Sequence, residues 1–494
     1  MPSLKRGSPF LAAANHGCKV IVHTPPPQPS PTRGGSYKYS HREGHAPSWP
    51  PLPRGRAVII PFLISPPLVG GGRRGLGGGG LNGYDAREGG GYMNPELIDT
   101  LVVKNETKIV FLIMDGLGGL PTEKSEQTEL EAAMTPHLDT LARKSVCGLL
   151  DPIGYGITPG SGPAHFALFG YDPIKNNVGR GLLSAAGIDF PMTERDLFMR
   201  VNFATIDHQG KVTDRRAGRI DNETNRRLCR KLQERVRLTS GMEVFFETEK
   251  EHRALFVLRG DNLREEIEET DSQKTGVLPF PPRPLIPEAE NTAVAIEELV
   301  EKAKEALADE EKANMVLLRG YARYRRFPGI GERFGLNPIA IANYPTYRGI
   351  ARLLGMTVNT STNTIEDEFD ALCQNYNKFD FFFVHIKDTD SRGEDGNFAE
   401  KVRMIEKVDS LIPRITDLHP DVLVVTGDHS TPAALASHSW HPLPVLLSSD
   451  TCRPDSVERF SERDCIHGGL GRMPMVYLMG VALAHARRLT KFGA

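Results

Sequence analysis

The chain reads as an α/β protein built on a mostly parallel sheet flanked by helices. Two observations carry this reading. Apolar runs without polar interruption recur along the sequence, the pattern of strands buried on both faces of a sheet. The strongest of them end in polar, often glycine-containing loops, and helical patterns follow, which is the alternation of parallel α/β architectures. The first run is 108–114 (Lys-Ile-Val-Phe-Leu-Ile-Met), closed by Asp115-Gly-Leu-Gly-Gly. Residues 135–144 open with Thr-Pro, a helix cap with proline at the first helical position. Short strands are expected at 315–318 and 338–342. A stronger one at 379–386 leads into Lys387-Asp-Thr-Asp390, and helix 398–412 follows. Residues 421–426 form another buried strand that ends at Gly427-Asp428-His429, and 444–447 a short one. A closing helix is expected over 476–492, with Arg487, Arg488 and Lys491 near its end, where positive charge complements the helix dipole. Between about 191 and 314 the texture shifts to charged helical runs (224–235, 292–308) and short strands (244–246, 254–257). The expected organisation is therefore a core domain over 93–190 and 315–494, with a smaller α+β domain inserted at 191–314.

Composition separates the first 92 residues from the rest. They hold 11 Lys+Arg against 3 Asp+Glu, net +8, and 18 of the 49 Gly with 14 of the 37 Pro. Such a segment cannot bury enough apolar surface to offset chain entropy, so a disordered tail is expected, and Met93 is an alternative start. Residues 93–494 carry 49 Lys+Arg and 59 Asp+Glu, net −10, which opposes a nucleic-acid partner. No run reaches the roughly 18–20 apolar residues of a membrane span; the stretch 57–69 is broken by Pro61, Pro66 and Pro67. No signal peptide is evident at the start, because Lys5-Arg6 is not followed by a long apolar run. The six Cys are scattered without a C-x-x-C pair, as in a reduced cytosol, and a cytoplasmic location is expected.

In parallel sheets, sites form at the carboxyl ends of strands. Asp115 and Asp428-His429 follow two of the strong strands, and Asp390 with Glu394 follows the third. Taken alone, Asp115 reads equally well as a helix cap. Together with His438 these carboxylates and imidazoles suffice for two divalent metals. An oxygen-rich set with some imidazole suits manganese or magnesium, and also admits zinc. Paired metals clamp the attacking and leaving oxygens of a phosphoryl transfer. A nucleophile candidate is Ser161 in Pro159-Gly-Ser-Gly-Pro-Ala-His165, where a helix start exposes a hydroxyl among backbone N–H groups. His441 competes with His438 as a ligand, Trp440 reads as packing, and Lys387 and His165 lie beside the site. Cys147 and Cys465 read as small buried residues.

Several of these stretches together carry a resemblance. They are Ile113-Met-Asp-Gly-Leu-Gly-Gly, Thr135-Pro-His-Leu-Asp, Pro159-Gly-Ser-Gly-Pro-Ala-His and Asn177-Val-Gly-Arg180-Gly. Asn202-Phe-Ala-Thr-Ile-Asp, Asp214-Arg-Arg-Ala-Gly-Arg219 and Arg348-Gly-Ile-Ala-Arg continue the series. The C-terminal part adds Thr389-Asp-Ser-Arg-Gly-Glu394, Thr426-Gly-Asp-His-Ser-Thr-Pro, His438-Ser-Trp-His-Pro and Gly468-Gly-Leu-Gly-Arg472. From about 108 to the C-terminus the chain resembles the archaeal-type cofactor-independent phosphoglycerate mutases of the alkaline phosphatase superfamily.

The resemblance implies an alkaline-phosphatase-like core and interconversion of 3- and 2-phosphoglycerate through a phosphoserine on Ser161, without 2,3-bisphosphoglycerate. It implies one metal on Asp115, Ser161, Asp428 and His429, and a second on Asp390, Glu394 and His438. Glu394 stands where the resemblance leads one to expect His, which shifts preference toward magnesium or manganese. For the anionic substrate it implies Arg180, Asn202, Asp214, Arg215, Arg216, Arg219 and Arg348, the guanidiniums serving phosphate and carboxylate. The competing readings keep the site and change the acceptor, as in a phosphohydrolase or a homoserine-kinase-like phosphotransferase, or retain the fold without catalysis. The last would predict missing ligands, whereas every expected position holds a competent residue.

Overall fold

Alternate side chains of the first apolar run enter two different cores, which is why it contains no polar residue after Lys108. In the computed structural model, which describes residues 95–493, strand β1 (Ile109–Met114) is buried at every position. Ile109, Phe111 and Ile113 enter one apolar cluster, and Val110, Leu112 and Met114 enter the other. The expected tail, 1–92, and Met93 lie outside the described residues.

After β2 (Val146–Asp151) the chain builds a second sheet. Its strands are β3 (Asp196–Ile206), β4 (Val212–Asp214), β5 (Glu243–Lys250), β6 (Arg253–Arg259) and β7 (Met315–Arg323). It then returns to the first sheet with β8 (Pro338–Ala342), β9 (Thr357–Asn359) and β10 (Phe381–Ile386). The last strands are β11 (Val422–Thr426), β12 (Leu443–Ser448) and β13 (Gly471–Pro474). The larger sheet has eight strands in the order β13-β2-β12-β11-β1-β10-β8-β9. The five from β11 to β9 are parallel; only the β12 pairings are antiparallel. The smaller sheet is antiparallel, with β3 pairing β4, β6 and β7 around its own apolar core. The mixed α/β fold with a mostly parallel sheet is thus the one expected.

Three expectations need correction. The strand read at 315–318 as resuming the core runs to Arg323 and pairs with β3 in the smaller sheet. Its run is apolar because Val316, Leu317 and Leu318 fill that sheet's core. The helix expected to stop at 412, before Pro413, spans Phe398–Thr416. Burial of Ile412 and Ile415 carries it through a proline that removes one hydrogen bond in the last turn. The closing helix over 476–492 is only Leu478–His485, preceded by a short 3₁₀ turn. Beyond it the chain bends at Arg487 (φ 57°), and the fully buried Arg488 donates to the Thr107 carbonyl and the Asp380 carboxylate. Arg488 is therefore a core guanidinium bonded to other segments, with no helix end to complement.

Candidate metal centre and active site

Strands β11, β1 and β10 are adjacent and parallel, so their carboxyl ends open on one edge of the sheet. Asp115 follows β1, Asp390 follows β10 by one helical turn, and Asp428-His429 follow β11. All four are fully buried. His429 Nε2 lies 3.4 Å from Asp115 Oδ1 and 3.2 Å from Asp428 Oδ2. His438 arrives from the loop before β12 and stacks on His429 with ring centres 3.7 Å apart. Its Nε2 is 3.8 Å from Asp390 Oδ1 and 3.9 Å from Glu394 Oε1. Among the described residues, two groups can each converge on one cation: Asp115, Asp428 and His429, and Asp390, His429 and His438. Glu394 stands at the solvent edge of the second group, more than half exposed.

Hydrogen bonds set which nitrogen of each ring carries the proton. The Thr431 hydroxyl donates to Asp390 Oδ1 at 2.5 Å, and its oxygen lies 3.0 Å from His429 Nδ1. With its one proton committed, Thr431 accepts from Nδ1–H, and the lone pair of His429 sits on Nε2. In the same way His438 Nδ1 donates to the Pro159 carbonyl at 3.0 Å, leaving its Nε2 basic. Asp115 Oδ1, Asp428 Oδ2 and His429 Nε2 are buried acceptors with no hydrogen-bond partner. Converging acceptors in a dry pocket are costly unless a cation receives them, so this donor set fits a divalent metal.

The electrostatics agree. Burial would raise the Asp115 carboxyl, but Lys387, His429, His385 and the Tyr347 hydroxyl hold it well below the usual range. Burial and the charge of Asp115 push Asp428 well above the usual range and raise Asp390. Burial and the neighbouring His438 keep His429 neutral, well below the usual histidine value. Lys387 donates to Asp115 Oδ2 at 3.0 Å, to Asp390 and to the Tyr347 hydroxyl, which in turn donates to Asp115. Tyr347 stacks on the buried His385, ring centres 3.8 Å apart. One ammonium against three buried carboxylates leaves the pocket short of positive charge.

Ser161 is the first residue of the helix Ser161–Leu168, after Gly160 in extended conformation. Two contacts hold this segment against the cluster. His438 bonds Pro159, and the buried His165, one turn into the helix, donates Nδ1–H to the Ser161 carbonyl at 2.8 Å while lying 3.3 Å from Asp428 Oδ2.

The basic residues divide. Desolvation and the charges of Arg319, Arg200 and Arg253 pull Arg180 below the usual arginine range, so these four guanidiniums share one neighbourhood. Burial, with Arg253, Arg216, Arg200 and Arg219, lowers His252 to about 4, which adds Arg216 and Arg219 to it. Arg200 and Asn202 lie two apart on β3 at its less buried positions, on one face. Arg253 donates to the Tyr344 hydroxyl at 2.7 Å, and Lys387 Nζ lies 5.7 Å from the Tyr344 ring centre. Tyr344 thus joins the arginines of the smaller sheet to the carboxylates of the larger.

Three expected substrate residues are engaged elsewhere. Arg215 is held bidentately by Asp271, at 2.9 and 2.6 Å. Asp214 accepts from the backbone of Arg216 and Gly218, ordering its own turn. Arg348 donates to the Ala342 carbonyl at the end of β8. Tyr347, His385, Arg200, Arg253 and Arg319 join this neighbourhood without having been expected, Arg319 standing 3.4 Å from Glu269 and 3.6 Å from Asp271. The two-residue spacing of Arg200 and Asn202 was the available signal for Arg200.

Comparison with known proteins shows the family of the chain. A family model described as 2,3-bisphosphoglycerate-independent phosphoglycerate mutase matches residues 142–314. A protein of Thermus thermophilus, designated a probable 2,3-bisphosphoglycerate-independent phosphoglycerate mutase, is 47% identical over 401 residues, covering 81% of this chain and 99% of its own. An Aquifex aeolicus protein of the same designation is 46% identical over 407 residues, 81% of this chain and 100% of its own. Among solved structures, a Pyrococcus horikoshii protein superposes with a TM-score of 0.68 at 28% identity, covering 79% of this chain and 100% of its own. The cofactor-independent phosphoglycerate mutase of Thermoplasma acidophilum gives 0.57 at 26% identity, covering 77% and 100%.

Proposed function

The chain belongs to the 2,3-bisphosphoglycerate-independent phosphoglycerate mutase family, and from that premise we propose that it interconverts 3-phosphoglycerate and 2-phosphoglycerate as an intramolecular phosphotransferase. The observation that carries the proposal is the convergence of Asp115, Asp390, Asp428 and His429 at three neighbouring strand ends, beside the Ser161 helix and joined through Tyr344 to an arginine cluster. The relatives carry the mutase name, which favours this reading over transfer to water or to another hydroxyl compound.

Two divalent ions, manganese or magnesium by the oxygen-rich donor set and zinc as a further option, would be held by Asp115, Asp428 and His429 with Ser161, and by Asp390, Glu394 and His438. Bound there, they neutralise phosphate charge and lower the pKa of the serine hydroxyl. Arg180, Arg216 and Arg219, with Arg200, Arg253 and Asn202, receive the phosphate and carboxylate of the substrate. Ser161 Oγ gives up its proton and attacks phosphorus, the P–O bond to the glycerate breaks, and the departing oxygen takes up the proton that Ser161 lost. The glycerate reorients, its other hydroxyl attacks the phosphoserine, the Ser161 Oγ–P bond breaks, and the proton that hydroxyl loses returns to Ser161 Oγ, so the cycle closes without a second phosphorylated cofactor. Lys387 holds charge between the two carboxylate groups, and His438 fixes the loop before Ser161 through Pro159.

Purified protein is expected to interconvert the two phosphoglycerates without added 2,3-bisphosphoglycerate and to lose activity in EDTA, recovering with Mn²⁺ or Mg²⁺. Ser161→Ala should abolish turnover and the phosphoserine detected by mass spectrometry. Normal turnover in that variant would sink the mechanism.

A further inference from the structure

Among the described residues, one lysine ammonium is fully buried and hydrogen-bonded to backbone carbonyls alone. Lys401, in the first turn of the helix Phe398–Thr416, has no solvent exposure. Its Nζ donates to the carbonyls of Gly116 at 2.9 Å, Gly118 at 3.0 Å and Thr431 at 2.9 Å, which exhausts its three protons. Glu129, likewise buried, stands 4.0 Å away as the nearest carboxylate.

The three carbonyls belong to the two loops that carry the candidate ligands. Gly116 and Gly118 follow Asp115, and Thr431 follows Asp428-His429. The opposite sides of the same residues face the site: Gly116 N–H donates to Asp428 Oδ1 at 3.1 Å, and the Thr431 hydroxyl bonds Asp390 and His429. The loops also bond each other, Thr431 N–H to the Gly116 and Gly118 carbonyls. They approach closely enough that a Cβ on Gly116, at φ +64°, would lie 2.6 Å from Thr431 Oγ1. Lys401 thus ties together, from behind, the backbones whose front faces hold Asp115, Asp428, His429 and, through Thr431, Asp390.

We propose that Lys401 is a positioning residue for the cation centre: its ammonium cross-links the 116–118 and 430–431 backbones and thereby holds the donor atoms of both cation groups at their mutual distances. It touches neither substrate nor donor atom, and the assignment rests on the metal-binding reading above. An apolar side chain in its place leaves the Thr431 carbonyl without a donor and the Gly116 and Gly118 carbonyls with only the shared Thr431 N–H, and outer positioning groups of this kind typically contribute about 10–100-fold to metal affinity.

The test is Mn²⁺ binding by calorimetry and by electron paramagnetic resonance of free Mn²⁺, on the full chain and on Lys401→Gln, Lys401→Met and Ile405→Ala. Ile405 is a buried residue one turn on, so its truncation supplies destabilisation without touching the carbonyls. Expected is at least about tenfold weaker Mn²⁺ binding in Lys401→Met, a smaller loss in Lys401→Gln, whose amide retains two donors, and unchanged binding in Ile405→Ala. At saturating Mn²⁺ the Lys401→Gln variant should recover kcat with an unchanged KM for phosphoglycerate. Wild-type affinity in both Lys401 variants would overturn the proposal, as would failure of both to fold, since Lys401 would then serve folding alone. Absence of Mn²⁺ binding by the wild type would instead remove the metal-binding reading beneath it.

Discussion

At the scale of single residues, the chain separates acids that work together from an acid that works alone. Glu368, on the helix Ile365–Asn375, is buried with both carboxylate oxygens lacking a hydrogen-bonding side chain, near Asp388, Arg348 and the backbone of Asn343. Burial, aided by the charge of Asp388, raises it from the usual 4.5 to about 9. A carboxyl whose folded pKa is raised holds its proton in the folded state, so the folded protein binds more protons than the unfolded one between those two values. Stability contributed by this group is therefore greatest at low pH and declines as pH rises toward 9. Glu368→Gln, which keeps the shape without the titration, should melt with the wild type near pH 5 and several degrees above it near pH 9. Parallel melting curves across that range would show that the carboxyl is ionised. Arg348, expected at the substrate, stands near this residue. Arg348 packs against the end of β8 near Glu368, while its neighbour Tyr347, one position earlier on the helix Pro345–Leu353, reaches Asp115. A rotation of about 100° between consecutive helical residues decides which of the two sees the site. One sequence without the partner helix gives no phase for that rotation.

At the scale of elements, the site depends on how closely three loops approach. The short helix Asp388–Glu394 carries Asp390 and Glu394, and Gly393 lies between them with an ideal Cβ position 2.2 Å from the Thr431 carbonyl. Any side chain at 393 pushes this helix from the loop that presents His429. Gly393→Ala should lower stability by about 1–3 kcal/mol in denaturant titration, as overpacking does. It should also cost mutase activity out of proportion to the unfolded fraction, because Asp390 moves with the helix. Ser391→Ala, on the same helix, should change neither. An alanine variant with full activity would show that the helix can shift without disturbing the cluster. What the sequence made legible at this scale was the polar end of each strong strand. Strands buried on both faces are unmistakable as apolar runs, and residues just beyond them must share one sheet edge. The basic cluster was obscured for the converse reason. It draws on β3, β6 and β7 and the start of the helix Arg180–Gly187, so residues from 180 to 319 meet only once an antiparallel sheet is assembled. The local run Asp214-Arg215-Arg216 stood out instead, and its first two members are committed to internal bonds.

At the scale of the whole molecule, the question is what the first 92 residues contribute. Every residue assigned here to catalysis, metal or substrate lies between Asp115 and His438. The Thermus thermophilus relative matches 81% of this chain over 99% of its own length, so about a fifth of the chain has no counterpart in a protein of the same family. Net charge points the other way. Residues 1–92 carry net +8, and a chain starting at Met93 would pass from −2 to −10. If long-range attraction set substrate capture, losing that charge would weaken binding of an anion, most of all at low salt. The local arrangement argues that it does not. Arg180, Arg200, Arg216, Arg219, Arg253 and Arg319 share one neighbourhood, so the positive charge an anion meets is local to the smaller sheet. A protein beginning at Met93 should therefore keep the kcat, the KM for phosphoglycerate and the melting temperature of the full chain. The rise of KM with added salt should be the same in both, because the same arginines produce it. Arg253→Gln should flatten that salt dependence in either form. A KM that climbs on truncation at 10 mM salt and converges with the full chain at 200 mM would instead assign the basic segment a part in gathering substrate.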